Sequence, residues 1–301
     1  MSDTARGLLV AAVVRDRGQV ASDLLALTKP RVLVMVLVTT LVGYDAAVSG
    51  APDYVRMLHL VVGTLLAAGG TLALNQWWER EIDARMERTR FRPLPDGRLQ
   101  PWEGLLWGSA LTLLGTAYLA ALLGVAVACL TGITSGLYLG VYTPLKRRTA
   151  LCTLVGAVPG ALPPVTGWMA ASHEAALGTW VLFSVLFLWQ IPHTLAIARL
   201  YRDDYARAGV RVLPVVDPES PATERQIVLA SMGLLAVSLL PTVIGWTGPF
   251  YLTGALALGL ALVVVSVGQA REPSAPAARR LLWASLLYLP LLLCLLAVDK
   301  R

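Results

Sequence analysis

Apolar runs of close to 20 residues recur along nearly the whole chain, at roughly 31–50, 57–78, 103–122, 124–142, 151–171, 176–198, 226–245, 250–269 and 280–297. About 20 such residues are what a helix needs to cross the hydrocarbon core of a bilayer. In lipid each backbone N–H and C=O must be satisfied within the protein, so runs of this length read as helices. The expected fold is therefore all-α, a polytopic bundle of about nine transmembrane helices around a central cavity. Hydrophobic residues make up 56% of the 301 residues and charged residues 15%, against roughly 25% charge in an ordinary soluble domain. No long linker rich in Gly, Pro or Ser divides the chain. It reads as one transmembrane domain over 1–301, with 1–30 as a cytoplasmic N-terminal tail. Within that tail LLVAAVV (8–14) is short, and no clear cleavage site follows it.

The basic residues give the orientation. With a cytoplasmic N-terminus, 22 of the 25 Lys and Arg fall on the cytoplasmic side; only Arg56, Lys300 and Arg301 do not. Positive charge is retained on that side of a membrane, and an unbiased split would place about half there. The same bias accounts for the net charge of +6, so a nucleic-acid partner is not needed to explain it. The C-terminus is then periplasmic. Cys129, Cys152 and Cys294 lie in or beside apolar runs without CxxC spacing, so neither a disulfide framework nor a zinc site is expected.

Against this apolar background one segment stands out, NQWWEREIDARMERTR from Asn75 to Arg90. Asn75, Glu79, Asp83 and Glu87 are spaced by four. Each such step on a helix advances about one turn and drifts about 40°, so Asn75, Glu79 and Asp83 form one stripe that Glu87 begins to leave. Oxygen donors of this kind suit Mg²⁺, which takes a few carboxylates and fills its other positions with water and phosphate oxygens. Arg85, Arg88, Arg90 and Arg92 follow at once, and guanidinium beside metal ligands points to a diphosphate. Any one of these arginines could instead serve only to set topology; Arg88 and Arg92 are the candidates for substrate contact. Glu87 is either a ligand or an arginine partner.

A second acidic loop, RLYRDDYARAGVRVLPVV (199–216), follows the sixth run. Adjacent residues on a helix point about 100° apart, so one of Asp203 and Asp204 faces a shared site. Asp204 is favoured as the metal ligand, with Asp203 as the runner-up. Lys146 in YTPLKRRT is either a phosphate contact or a loop anchor. His193, in LFLWQIPHTLAIA, is either a satisfied core residue or a functional one, since ionisable groups inside membranes are enriched for function. Trp77, Trp78 and Trp189 are candidates for an interfacial belt or for shielding a carbocation through their π faces. His59 and His173 are assigned nothing. Pro159, Pro163 and Pro164 in GAVPGALPPVTGW break backbone bonding, which membranes tolerate where a helix is buried in protein or lines a cavity. The fifth helix is expected to bend and line the chamber.

Taken together, these segments resemble the UbiA-type intramembrane prenyltransferases over nearly the whole chain. The resemblance is carried by LTKPRV (27–32), NQWWEREIDARMERTRFRPLP (75–95), YTPLKRRT, GAVPGALPPVTGW, WQIPHTLAIARLYRDDYARAG (189–209) and VLPVV (212–216). The WQIPH and VLPVV segments are similar to the haem-modifying branch, the protohaem IX farnesyltransferases. Two departures stand out. Glu79 occupies a position that is often Asp in the family, and Thr194 stands where relatives often carry Phe after the histidine.

The resemblance implies farnesyl diphosphate as donor and haem B as acceptor, giving haem O for terminal oxidase assembly, with Mg²⁺ as cofactor. It further implies a bacterial inner membrane, a site facing the cytoplasm, and haem A synthase or a terminal oxidase downstream. Asn75, Glu79, Asp83 and Asp204 would hold the metal and carry catalysis; Arg88, Arg92, Lys146, His193 and Asp203 would contact substrates. An aromatic prenyltransferase with a quinone-precursor or chlorophyll-type acceptor shares the donor motif and differs in the fifth- and sixth-helix segments. A transporter would use the broken helix and acidic loops as an ion path, but the charges cluster at one face and no clear inverted repeat is visible. An electron carrier with several haems is poorly served by three scattered histidines.

Overall fold

The computed structural model describes residues 16–301; the LLVAAVV segment lies outside them. Among the described residues nine helices are long and apolar enough to cross a membrane, as the hydrophobic runs predict. The first helix, α1 (Arg17–Leu27), lies within the segment read as the tail and packs against the start of the bundle. The spans are α2 (Pro30–Ala47), α3 (Tyr54–Asp83), α4 (Pro101–Leu123), α5 (Val125–Leu145), the split pair α6 (Cys152–Ala161) and α7 (Pro163–Ser172), α8 (Leu177–Leu200), and, past two short helices α9 (Arg202–Arg207) and α10 (Leu213–Val216), α11 (Ala222–Val243), α12 (Pro249–Arg271) and α13 (Ala275–Asp299).

The helices close into a ring. Helix α2 packs on α7 and α3, α3 on α4, α4 on α5, α6 on α8, α8 on α11 and α13, α12 on both α11 and α13, and α13 returns to α2. Backbones approach closely where small residues allow it, as in other membrane bundles. A Cβ on Gly167 of α7 would collide with the Thr40 carbonyl of α2, and one on Gly43 of α2 would meet the Pro164 backbone. Large apolar side chains such as Leu58, Leu106, Leu113, Val264 and Trp283 face outward, where lipid replaces water.

Two local irregularities shape the interior. The fifth span breaks at Leu162, between Pro159 and the Pro163–Pro164 pair, and residues from both halves line the cavity. Helix α5 widens into a π-helical stretch over Leu137–Tyr142, a feature frequent at functional sites. There the Thr143 hydroxyl donates to the Tyr138 carbonyl at 2.8 Å. On the opposite side of the bundle Arg199 at the end of α8 pairs with the buried Glu224 of α11, fixing the helix that carries His193.

Candidate active site

Helix α3 runs on to Asp83, one turn beyond the end of its apolar run near residue 78. Asn75, Glu79 and Asp83 therefore sit on one rigid element, as the spacing predicts, and all three are buried. The extension is possible because each polar side chain finds a partner from another element. Lys29 Nζ donates to Asn75 Oδ1 at 2.9 Å, and Asn75 Nδ2 donates to the Thr143 hydroxyl at 3.2 Å. Lys146 Nζ lies 2.7 Å from Glu79 Oε1. Arg92 Nη1 lies 2.7 Å from Asp83 Oδ2, while the Thr89 hydroxyl caps the Asp83 carbonyl at 2.8 Å.

These groups surround the mouth of a cavity of about 690 Å³, whose lining includes Lys29, Glu79, Asp83, Arg88, Arg92 and Lys146. Lys146 sits above the Tyr142 ring at 4.5 Å. Burial works against its charge, but Glu79 beside it holds its pKa well above the ordinary lysine value. Arg88 is held over the rings of Tyr201 and Tyr205, at 4.8 and 5.5 Å, and donates to the Tyr205 hydroxyl at 3.2 Å. Both acidic loops thus meet at this mouth. Asp204 is buried in α9, accepts from the Glu87 N–H at 3.3 Å and pairs with Arg207. Asp203 is exposed to solvent. Glu87 is also exposed and pairs with Arg90 at 3.0 Å.

Lys29 is the site residue that its own sequence context did not single out. Burial foremost, with Arg92 and Lys146 nearby, lowers its pKa to about 8. Its backbone is left-handed, with φ 49°, an uncommon conformation that costs free energy for a non-glycine residue. Gln76 fixes this turn by donating to the carbonyls of Ala26 and Leu27 at 3.2 and 2.9 Å. Its signals in the sequence are the Lys-Pro dipeptide that opens α2 and its place in LTKPRV, a segment that carries the family resemblance without assigning Lys29 a role.

On another wall of the cavity His193 stacks on Trp189, with ring centroids 4.8 Å apart and 18° between planes. Its Nδ1 meets the Ser285 hydroxyl at 2.9 Å, and Trp189 Nε1 donates to the Ser285 carbonyl at 2.7 Å. Trp189 is therefore a cavity residue, whereas Trp78 is exposed and fits an interfacial position. The three cysteines are free.

The donor set suits a hard cation in type: an amide oxygen and two buried carboxylates on one stripe, with Glu79 Oε1 lacking a well-aligned hydrogen bond. It is not a preformed cage, since no group of three His, Cys, Asp or Glu gathers among the described residues. Mg²⁺ needs none, because one or two carboxylates plus substrate phosphates are its usual ligands.

Residues 36–289 match the model of the UbiA prenyltransferase family. The chain belongs to that family. It is a prenyltransferase, as the resemblance implied. Among curated relatives, protoheme IX farnesyltransferase of Solibacter usitatus is 45% identical, with 92% of this chain and 98% of the relative aligned. Protoheme IX farnesyltransferase of Koribacter versatilis is 40% identical over 97% of this chain and 95% of its own length. Of solved structures, a digeranylgeranylglyceryl phosphate synthase superposes with a TM-score of 0.78 at 16% identity, covering 93% of this chain and 98% of that one. A UbiA homologue from Archaeoglobus fulgidus bound to GPP and Mg²⁺ gives 0.67 at 14%, covering 91% and 99%. At such identities the structural likeness shows the fold.

Proposed function

We propose that this prenyltransferase moves a farnesyl group from farnesyl diphosphate to a vinyl group of haem B, giving haem O. The observation that carries the donor half is the mouth of the cavity, where three cations from three elements meet the buried stripe of Asn75, Glu79 and Asp83. The acceptor half rests on the relatives, which align over 92% and 97% of this chain and are named protoheme IX farnesyltransferase. The stacked Trp189–His193 pair adds a flat aromatic wall suited to a macrocycle.

In this reading Asn75, Glu79, Asp83 and Asp204 would hold Mg²⁺ beside the diphosphate. The bound metal neutralises the leaving group so that the allylic C–O bond can ionise. Lys29, Lys146, Arg92 and Arg88 add positive charge fixed in place before the reaction, where charge on the leaving diphosphate grows. The apolar walls keep water from the allylic cation; the vinyl group attacks that cation, the positive charge passes to the carbon beside the porphyrin, and water captures this carbon with loss of a proton to leave the hydroxyethylfarnesyl group. His193 contacts the haem. Asp203 stands at the rim and assists the loop that carries Asp204. The chain acts as one domain in a bacterial inner membrane, with its N-terminus and site cytoplasmic and its C-terminus periplasmic, and hands its product to haem A synthase or a terminal oxidase.

Mass spectrometry of haems after incubation with haem B, farnesyl diphosphate and Mg²⁺ tests this, with Asp83→Ala as control. A farnesylated haem that requires both Mg²⁺ and Asp83 supports it. Farnesylation of a quinone precursor instead would replace the acceptor and leave the donor site standing.

A further inference from the structure

The stripe that carries Asn75, Glu79 and Asp83 does not stop at Asn75. It continues into the bilayer as Thr71, Ala68 and Thr64, all of which line the cavity. From Asn75 to Thr64 is eleven residues, about three turns or roughly 16 Å at 1.5 Å per residue. Helix α2 gives the same depth independently. Its reference point is Lys29, which touches Asn75, and its last cavity residue is Thr40, again eleven residues away.

Toward this end four threonines from four helices line the cavity: Thr40 of α2, Thr64 of α3, Thr131 of α5 and Thr166 of α7. One helical turn further on, each is followed by a fully buried residue, respectively Tyr44, Leu60, Val127 and Ala170. These four pack together in one apolar cluster with Leu119, Leu123 and Ala128, and none of the cluster lines the cavity. The chamber has a closed floor. Three of the four threonine hydroxyls are turned to their own helices, while the Thr64 hydroxyl is buried without a hydrogen-bond partner. Thr40, Thr131 and Thr166 donate to the Val36, Val127 and Leu162 carbonyls of their own helices, at 2.8, 2.9 and 3.2 Å. Spent in this way, those donors are not available to a ligand.

The geometry points to a ruler for prenyl chain length: the α3 stripe from Asn75 to Thr64 measures three isoprene units, and the floor of Tyr44, Leu60, Val127 and Ala170 excludes a fourth. This rests on the reading of the mouth as the diphosphate site. An extended isoprene unit advances a little less than one helical turn of about 5.4 Å, so three turns accept a C15 chain and a C20 chain meets the floor. Ala68 marks the second unit, about two turns below Asn75. It is the small residue there, and side-chain growth at this position shortens the ruler.

Binding of C10, C15 and C20 prenyl diphosphates to the full chain with Mg²⁺, in the absence of any acceptor, tests the ruler separately from the acceptor. The variants are the graded series Ala68→Val, Ala68→Leu and Ala68→Phe, together with Leu60→Ala. The preference for C15 over C10 should fall stepwise along the series, by about tenfold or more at Phe, which is the scale of discrimination by a few methylenes in an apolar pocket. C10 binding should be retained, showing that the variants are folded. Leu60→Ala should raise C20 relative to C15. Parallel loss of C10 and C15, or an unchanged ratio across the series, overturns the ruler. Failure of the wild type to transfer to haem while these ratios shift as expected overturns the acceptor alone.

Discussion

Replacing Lys146 by Met removes the ammonium that faces Glu79 but keeps an unbranched apolar stem. The two charges are 2.7 Å apart, and their side chains are only 18% and 7% exposed. A surface pair would contribute no more than about 1 kcal/mol, whereas removing one partner of a buried pair costs about 3–5 kcal/mol because the other charge is left uncompensated. Lys29 also feels the Glu79 charge and remains to offset part of the loss, so the expected destabilisation is near the low end, about 3 kcal/mol. The companion Lys146→Met/Glu79→Gln removes both charges and should recover most of that stability. Unfolding in mixed detergent micelles, without metal or donor, measures both variants, and farnesyl transfer measures their function. The double variant should regain stability while turnover stays lost. A single variant within about 1 kcal/mol of wild type would refute it, since Glu79 would then be solvated enough to need no partner.

Lys29 has a folded pKa of about 8 against 10.5 for an ordinary lysine. Between those values the folded chain has released a proton that the unfolded chain still binds, so the stability from this group rises with pH across that window; metal-free unfolding from pH 7 to 10.5 should show the rise, and Lys29→Met should lack it. Gly167→Ala drives a methyl into the Thr40 carbonyl and should cost about 1–3 kcal/mol of thermal stability; a neutral outcome would mean that α2 and α7 can separate freely. His193→Ala should weaken haem binding, measured by absorbance titration, while leaving farnesyl diphosphate affinity intact; equal haem affinity would remove His193 from the acceptor wall.

Much of this was legible in the sequence, and the exceptions have physical causes. The helices could be counted because lipid leaves the backbone no alternative. The polar stripe could be placed because a four-residue period survives any choice of neighbours. The end of α3 was misplaced by one turn because hydropathy falls where polar residues begin, whereas the helix persists when those residues are paired by Lys29, Lys146 and Arg92. Burial separates Asp204 from Asp203 in the expected sense. Lys29 was invisible as a site residue because its importance lies in a left-handed turn pinned by Gln76, a contact between residues some 50 positions apart. The π stretch of α5 was equally hidden, since it depends on Thr143 bonding to Tyr138 and to Asn75 at once.

The pairing at the mouth also explains how a membrane protein keeps such a site buried between turnovers. Without donor, Glu79 and Asp83 are each matched by a cation, and Asn75 is matched by Lys29. In the proposed reaction Lys146 and Arg92 would exchange carboxylate oxygens for phosphate oxygens, and the freed Glu79 and Asp83 would be the groups to hold Mg²⁺. Each exchange replaces one ion pair with another. An uncompensated charge in this setting costs several kcal/mol, so a site that gathered only carboxylates would be unstable when empty, and one that gathered only cations would hold its product too tightly. Interleaving the two kinds of charge on α3, α5, the start of α2 and the loop after α3 avoids both. It also accounts for the absence of a preformed carboxylate cage among the described residues, where Glu79 and Asp83 are each paired with a cation.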